Sequence, residues 1–202
     1  MKLYYSPGAC SLSPHIVARE AGIPVELVKV DLKAKKLSDG APYGDVNGKG
    51  YVPAIKLDDG QMLTEGPAIV QYLADQKPDA KLAPKAGTME RYRLQEWLNF
   101  VTSELHKGVG GLFNPAVTPE WRKGIVDRLD VRLSWLAGEL QGKQYLMGDQ
   151  FTVADAYLFT VLNWAPMVKV DLSKWPVLGE YQKRVGSRPK VVEALKAEGL
   201  IQ

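Results

Sequence analysis

Cysteine is almost absent from this 202-residue chain, in which Cys10 stands alone. One thiol cannot close an intramolecular disulfide, so no disulfide framework holds the fold, and the chain suits a reducing compartment. Histidine is nearly as scarce: two histidines beside one cysteine make a poor structural zinc site, and no metal is expected. Charge of one sign is also lacking. Lysine and arginine total 26 against 23 acids, a net charge of +3. The basic residues are scattered, without the patch and interleaved aromatics that nucleic acid calls for. No apolar run approaches the ~20 residues of a membrane span. The first residues lack the basic, apolar and small-residue succession of a secretory signal. The expectation is a cytoplasmic protein with neither nucleic acid nor membrane as a partner.

What is present is ordinary in bulk: 46% hydrophobic and 24% charged residues fit a globular protein. The length allows one or two domains with a sizeable core. The informative stretch surrounds Cys10. Residues 2–5 read as a strand, and Ser6-Pro7-Gly8 breaks it. Leu12, Ile16, Val17, Ala18 and Ala21 then recur at helical spacing until Gly22. A thiol at a helix start meets free N–H groups and the positive end of the macrodipole, which favours the thiolate. Cys10-Ser11-Leu12-Ser13 has the spacing of a C-x-x-C redox motif with Ser in the second place. Such a site attacks or holds one partner thiol but cannot form its own disulfide. The alternative is a lone cysteine acting as a small buried hydrophobe. Both readings stay open on spacing alone. His15, inside the helix after Pro14, is expected to be structural.

Further along, residues 25–30 alternate as a strand, and 31–49 read mainly as loop, with Lys33-Ala34-Lys35-Lys36 a solvated face. Residues 51–57 read as a strand opened near Pro53. Asp58-Asp59-Gly60 is a hairpin turn, and 61–63 a return strand. Thr64-Glu65-Gly66-Pro67 starts a helix whose apolar face is Ile69, Val70, Tyr72 and Leu73. Its N-terminus serves either as a carboxylate site or as simple capping. The order is β-α-β, then β-β-α. Residues 1–78 thus form an α/β domain, 79–87 a linker and 88–202 an all-helical domain. In a helix from 88 to about 108, Leu94, Leu98, Val101 and Leu105 share one face. Asn99, Ser103 and His106, with Lys107 beside them, form a polar stripe on the other. That stripe is either solvated or turned to a ligand. Thr118-Pro119 starts a helix with Trp121, Ile125, Leu129, Leu133, Leu136 and Leu140 on its core face. Thr152-Val153-Ala154-Asp155 is a capping box, and the helix after it, through Trp164, is apolar nearly all round and therefore buried. Two shorter amphipathic helices, 175–185 and 189–200, complete the chain.

Three separated features now coincide. They are the strand–Cys10–helix start, the Val52-Pro53 strand followed by Thr64-Glu65-Gly66-Pro67-Ala68-Ile69, and an all-helical second half with a Thr-x-x-Asp box. Together they resemble a cytosolic glutathione transferase, and more narrowly the bacterial Beta class. The first fifteen residues carry the resemblance, as do 64–73, Glu96-Trp97-Leu98-Asn99-Phe100, Glu104-Leu105-His106-Lys107, 151–159 and Glu198-Gly199-Leu200-Ile201. It covers essentially the whole chain. It implies a glutathione transferase fold: an α/β thioredoxin-like N-terminal domain that binds glutathione, plus an all-α C-terminal domain that completes the electrophile pocket. It also implies a homodimer with sites near the interface, and glutathione as co-substrate with no cofactor. By the same resemblance Val52–Pro53 is cis, and the Val52 backbone pairs with the cysteinyl part of glutathione. Ala9, Cys10, Tyr51, Val52 and Pro53 belong to the glutathione site, with Tyr51 at a position that the class varies. Glu65 and the Gly66 N–H hold the γ-glutamyl end, and Lys35 meets the glycyl carboxylate. Asn99, Ser103, His106 and Lys107 line the cleft from the helical domain.

Most classes of the family stabilise the glutathione thiolate with a Tyr or Ser hydroxyl. Here Tyr5 and Ser6 are near that region, but Cys10 takes the central place. The expected chemistry is conjugation of glutathione to a small hydrophobic electrophile such as an aryl halide or chlorinated aromatic compound. Cys10 and His106 are the candidate catalytic residues; Tyr5, Phe113 and Trp164 are candidate electrophile-pocket residues, the last two equally readable as core aromatics. One rival is glutaredoxin-like thiol–disulfide chemistry through a Cys10–glutathione mixed disulfide. The other is a non-catalytic interaction module, against which the intact Cys10, Glu65 and His106 argue.

Overall fold

Strand β1 (Lys2–Tyr5) is the middle strand of a five-stranded sheet. In the computed structural model, which describes all 202 residues, helix α1 (Leu12–Glu20) carries the chain from β1 to β2 (Glu26–Asp31), which lies parallel to it. The short β3 (Lys36–Leu37) flanks β2 at one edge. On the other side β4 (Ala54–Lys56) runs antiparallel to β1, with Leu3 opposite Ile55, and β5 (Met62–Thr64) forms the far edge. Helix α2 (Gly66–Gln76) follows and packs on α1. Alternation along β1 sends Leu3 and Tyr4 to opposite faces, and both faces are covered. Leu3, Ile16, Val17, Ile55, Ile69 and Leu73 are wholly buried, while Tyr4, Val30, Tyr43, Val52 and Ala54 form a separate apolar cluster.

The helical part contains α3 (Met89–Phe100), a π-helical segment (Val101–His106), α4 (Lys107–Gly111), α5 (Pro119–Glu139), α6 (Val153–Leu162) and α7 (Pro176–Gly186). Every residue of α6 is buried, as its all-round apolar pattern requires. The last helix, α8 (Pro189–Ala197), packs against α1. The chain therefore divides into a first unit of Met1–Leu82 with Arg188–Gln202 and a second unit of Ala83–Ser187. No helix is long and apolar enough to cross a membrane.

Four expectations are corrected. The helical domain does not run from 88 to 202, because α8 buries Val191 and Ala194 within the first unit. The predicted loop 31–49 contains β3, which pairs with Val30 and Asp31, and a 3-10 turn (Tyr43–Asp45) that buries Tyr43 completely. The strand predicted over 51–57 is paired only over Ala54–Lys56, because Pro53 has no N–H to give to a ladder. Trp121 is 69% exposed, since it sits in the first turn of α5 and the core face begins at Leu129.

Candidate functional site

The loop 6–11 is closed by its own backbone. The Ala9 N–H donates to the Ser6 carbonyl at 3.0 Å, and the Leu12 N–H to the Ala9 carbonyl at 2.9 Å. The Ser11 hydroxyl accepts from the Ser6 N–H at 3.1 Å and donates to the Ser6 carbonyl at 3.2 Å. Gly8 takes φ +70°, a conformation that glycine adopts without steric penalty. This places Cys10, partly buried, two residues ahead of the first residue of α1. Its thiol donates to the Val52 carbonyl at 3.0 Å, and its own carbonyl accepts from the Ser13 N–H and hydroxyl. The thiol proton is thus engaged by a carbonyl rather than released to the helix end. The peptide bond Val52–Pro53 is cis, as the resemblance implied. Ser13, in the second-cysteine place of the redox motif, is wholly buried and bonded back to Cys10.

The turn into α2 is unusual. Glu65 holds φ +70° and ψ 116°, outside the regions that an L-residue normally occupies, and its carbonyl accepts the N–H groups of Ala68 and Ile69 at 3.0 Å. Gly66 is the first residue of α2, so its N–H has no acceptor within the helix. The Glu65 carboxylate meets the Lys49 ammonium at 2.6 Å, and that ammonium also donates to the Thr64 hydroxyl at 3.0 Å. Lys49 was missed from sequence: sixteen residues separate the partners, and no local spacing links them.

Lys35 has φ +55° and donates to the Gly50 carbonyl at 2.8 Å, with its ammonium 5.4 Å from the centre of the Tyr51 ring. The Tyr51 carbonyl is fixed by the Tyr43 hydroxyl at 2.9 Å and the Asn47 amide at 2.8 Å, which leaves its ring 70% exposed. Tyr5 is placed otherwise than expected. It is buried beside His15, ring centres 6.5 Å apart, and offers little surface to a co-substrate. Burial, with a smaller contribution from Glu198, raises its phenol above the usual range.

In the second unit the polar stripe divides. The amide of Asn99 donates back to the Gln95 carbonyl at 3.0 Å, and the Ser103 hydroxyl to the Asn99 carbonyl at 3.0 Å. Asn99, Ser103 and Lys107 are exposed. His106 is not on their face, because the π-helical turn is wider than an α-turn and rotates it inward. Its Nδ1 lies 2.6 Å from the Tyr157 hydroxyl, and its ring centre is 4.9 Å from that of Trp164. Phe113, half exposed, meets the edge of Trp164 at 6.3 Å. Two predicted pocket aromatics and His106 therefore form one cluster, completed by Tyr157, which sequence reading had placed only in a buried helix. Burial, then the charge of Lys107, lowers the His106 pKa to about 4, so the ring is neutral at pH 7. Glu104 anchors the π-helical segment: its carboxylate accepts from Arg128 at 3.0 Å and Arg132 at 2.7 Å, which hold it below the usual carboxylate range.

Comparison with known proteins bears on both units. The glutathione S-transferase N-terminal domain model matches residues 8–76, and the C-terminal domain model matches 101–189. Glutathione S-transferase GstA of Escherichia coli O157:H7 is 47% identical over 200 residues, covering 99% of this chain and all of that protein. Among solved structures, a ternary complex of BphK, a bacterial GST, is 58% identical with a TM-score of 0.97, covering 98% of this chain and 100% of that one. A sphingomonad glutathione S-transferase complexed with glutathione is 46% identical with a TM-score of 0.95, and a bacterial beta class enzyme of Sphingomonas chungbukensis 49% identical with a TM-score of 0.95, each covering both chains completely. With the thioredoxin-like first unit, the helical second unit and full-length identity of this order, the chain belongs to the glutathione S-transferase family, among its bacterial beta-class members.

Proposed function

We propose that this chain conjugates reduced glutathione to small hydrophobic electrophiles such as aryl halides. The observation that carries the reading is the Cys10–Val52 contact beside cis-Pro53, which sets a thiol against the backbone expected to pair with the cysteinyl part of glutathione. Ala9, Cys10, Tyr51, Val52 and Pro53 are assigned to that part, Glu65 and the Gly66 N–H to the γ-glutamyl end, and Lys35 to the glycyl carboxylate. From the second unit, Asn99, Ser103, His106 and Lys107 are assigned to glutathione, and Phe113 and Trp164 to the electrophile. In the tautomer in which the Tyr157 hydroxyl donates to Nδ1, the proton of the neutral His106 ring lies on Nε2, and this reading assigns it as an uncharged N–H donor for the glutathione sulfur. The thiol proton goes to solvent. The thiolate then attacks the electrophilic carbon, the C–S bond forms, the carbon–halogen bond breaks, and halide leaves with the bonding pair. A homodimer in the cytoplasm is the assembly and setting proposed.

A second reading, thiol–disulfide exchange, is favoured by one observation: the single thiol has Ser13 where a resolving cysteine would stand. The Cys10 thiolate would attack a glutathione mixed disulfide and release the partner thiolate. A second glutathione would then displace Cys10 and leave oxidised glutathione. Initial rates with a chloronitrobenzene and with a mixed-disulfide substrate, for wild type and Cys10→Ala, test both readings. Conjugation in Cys10→Ala stays within about tenfold of wild type, because the attacking sulfur belongs to glutathione, and disulfide exchange is abolished. A wild type that neither conjugates nor binds a glutathione-affinity column would overturn the proposal and favour the interaction module.

A further inference from the structure

Glu198 has a place in the first unit that the assignments above do not use. It is the residue that follows α8, and its carboxylate is completely buried. One oxygen lies 2.9 Å from Nδ1 of His15, which is itself completely buried on α1. The other accepts the backbone N–H of Gly8 at 2.9 Å, across 190 positions of sequence. Arg19 donates to the far nitrogen of His15 at 3.4 Å. Two residues further on, Leu200 covers the glycine: a Cβ built on Gly8 would come within 3.3 Å of a Leu200 methyl group. A carboxylate taken out of water is retained only where every lone pair is answered, and here one answer is the backbone of the cysteine loop. The hydrogen bond falls on the residue with φ +70°, which sets the path of the chain into Ala9 and Cys10.

We propose that Glu198, backed by His15 and Leu200, is a positioning residue that holds the Gly8–Cys10 loop in the geometry that presents Cys10 and its backbone to glutathione. This rests on the glutathione reading for the ligand, but not for the loop. Without Glu198, the Gly8 N–H loses its buried acceptor and His15 its partner, and the loop moves away from the Val52 carbonyl. Gln at 198 keeps the link to the loop, because its carbonyl oxygen still accepts from the Gly8 N–H, while its amide facing His15 replaces one acceptor contact of the ring.

The test uses the full chain, in which Cys10 is the only thiol, so that alkylation by iodoacetamide reads this loop alone. For Glu198→Ala the alkylation rate rises at least about threefold, and the KM for glutathione rises about tenfold while kcat changes less. Glu198→Gln returns both to within about twofold of wild type. Leu200→Ala, at an exposed position where truncation costs little stability, shifts alkylation in the same direction as Glu198→Ala. It decides the matter should Glu198→Ala fail to fold. A Glu198→Ala protein with a lower Tm but wild-type alkylation and KM would overturn the proposal, as would wild-type alkylation in Leu200→Ala when Glu198→Ala is unfolded. Altered alkylation in a protein that does not bind glutathione would support the positioning of the loop while removing glutathione as its purpose.

Discussion

His106 shows how much one turn of helix decides. Read at α-helical spacing it belongs beside Ser103, among solvated groups, where a histidine would titrate near its ordinary value. The π-helical turn places it against Tyr157 and Trp164 instead, and its pKa falls from 6.5 to about 4. Between those two values the unfolded chain binds the proton and the native state does not, so stability rises with pH across the window. The stabilisation is fully present above pH 6.5 and is lost as pH falls through 4, and a shift of this size corresponds to about 3 kcal/mol. With only two histidines in the chain, proton NMR resolves them, and His106→Asn identifies the resonance. The expected midpoint is about 4; a midpoint near 6.5 would return His106 to the solvated stripe. Urea melts of the two proteins give the matching energy. The advantage of wild type over His106→Asn shrinks by about 3 kcal/mol from pH 7 to the acid side of the window.

At the scale of elements, legibility follows locality. The capping box at the start of α6 could be read from four consecutive residues because the interaction itself spans four residues. One Asp155 oxygen accepts from the Thr152 N–H at 2.9 Å and the Thr152 hydroxyl at 3.0 Å. The other accepts from the Leu146 N–H at 2.9 Å and the Tyr181 hydroxyl at 3.0 Å, and those partners no spacing reveals. Asn at 155 would turn an amide donor toward two of these donors. Asp155→Asn should therefore lower stability by about 2–3 kcal/mol, seen as a lower urea midpoint with an unchanged slope. Burial outweighs the four donors and raises Asp155 from 3.8 to about 6. Its sign is opposite to that of His106. Between 3.8 and 6 the native state holds the proton more tightly, so this contribution is present below 3.8 and is lost as pH rises through 6. The π-helical segment was illegible for the converse reason. Val101 and Leu105 are buried whether the turn is α or π, and only the polar residues reveal the rotation.

At the scale of the whole molecule, composition and element order were enough for an α/β unit and a helical unit, but not for where the last helix belongs. An amphipathic stripe such as Val191 and Ala194 states that a helix is covered, not what covers it. The partners of α8 lie at the other end of the sequence: His15 for Glu198 at 183 positions, and Glu20 for Arg188 at 168 positions with a 2.7 Å bond. The chain thus closes the first unit only after the second has been made. A fragment ending at Leu82 would leave α1 without α8, and would leave His15 buried with Arg19 but no carboxylate. Leaving a buried hydrogen-bonding group without its partner costs about 1–3 kcal/mol, a large share of the stability of a small domain. Residues 1–82 alone should therefore show poor dispersion of amide resonances. The same residues joined by a flexible linker to 188–202 should fold and disperse them. A Glu198→Ala version of the joined fragment separates the two contributions. Folding that survives there assigns the closure to the apolar stripe of α8, and folding that is lost assigns it to the buried carboxylate.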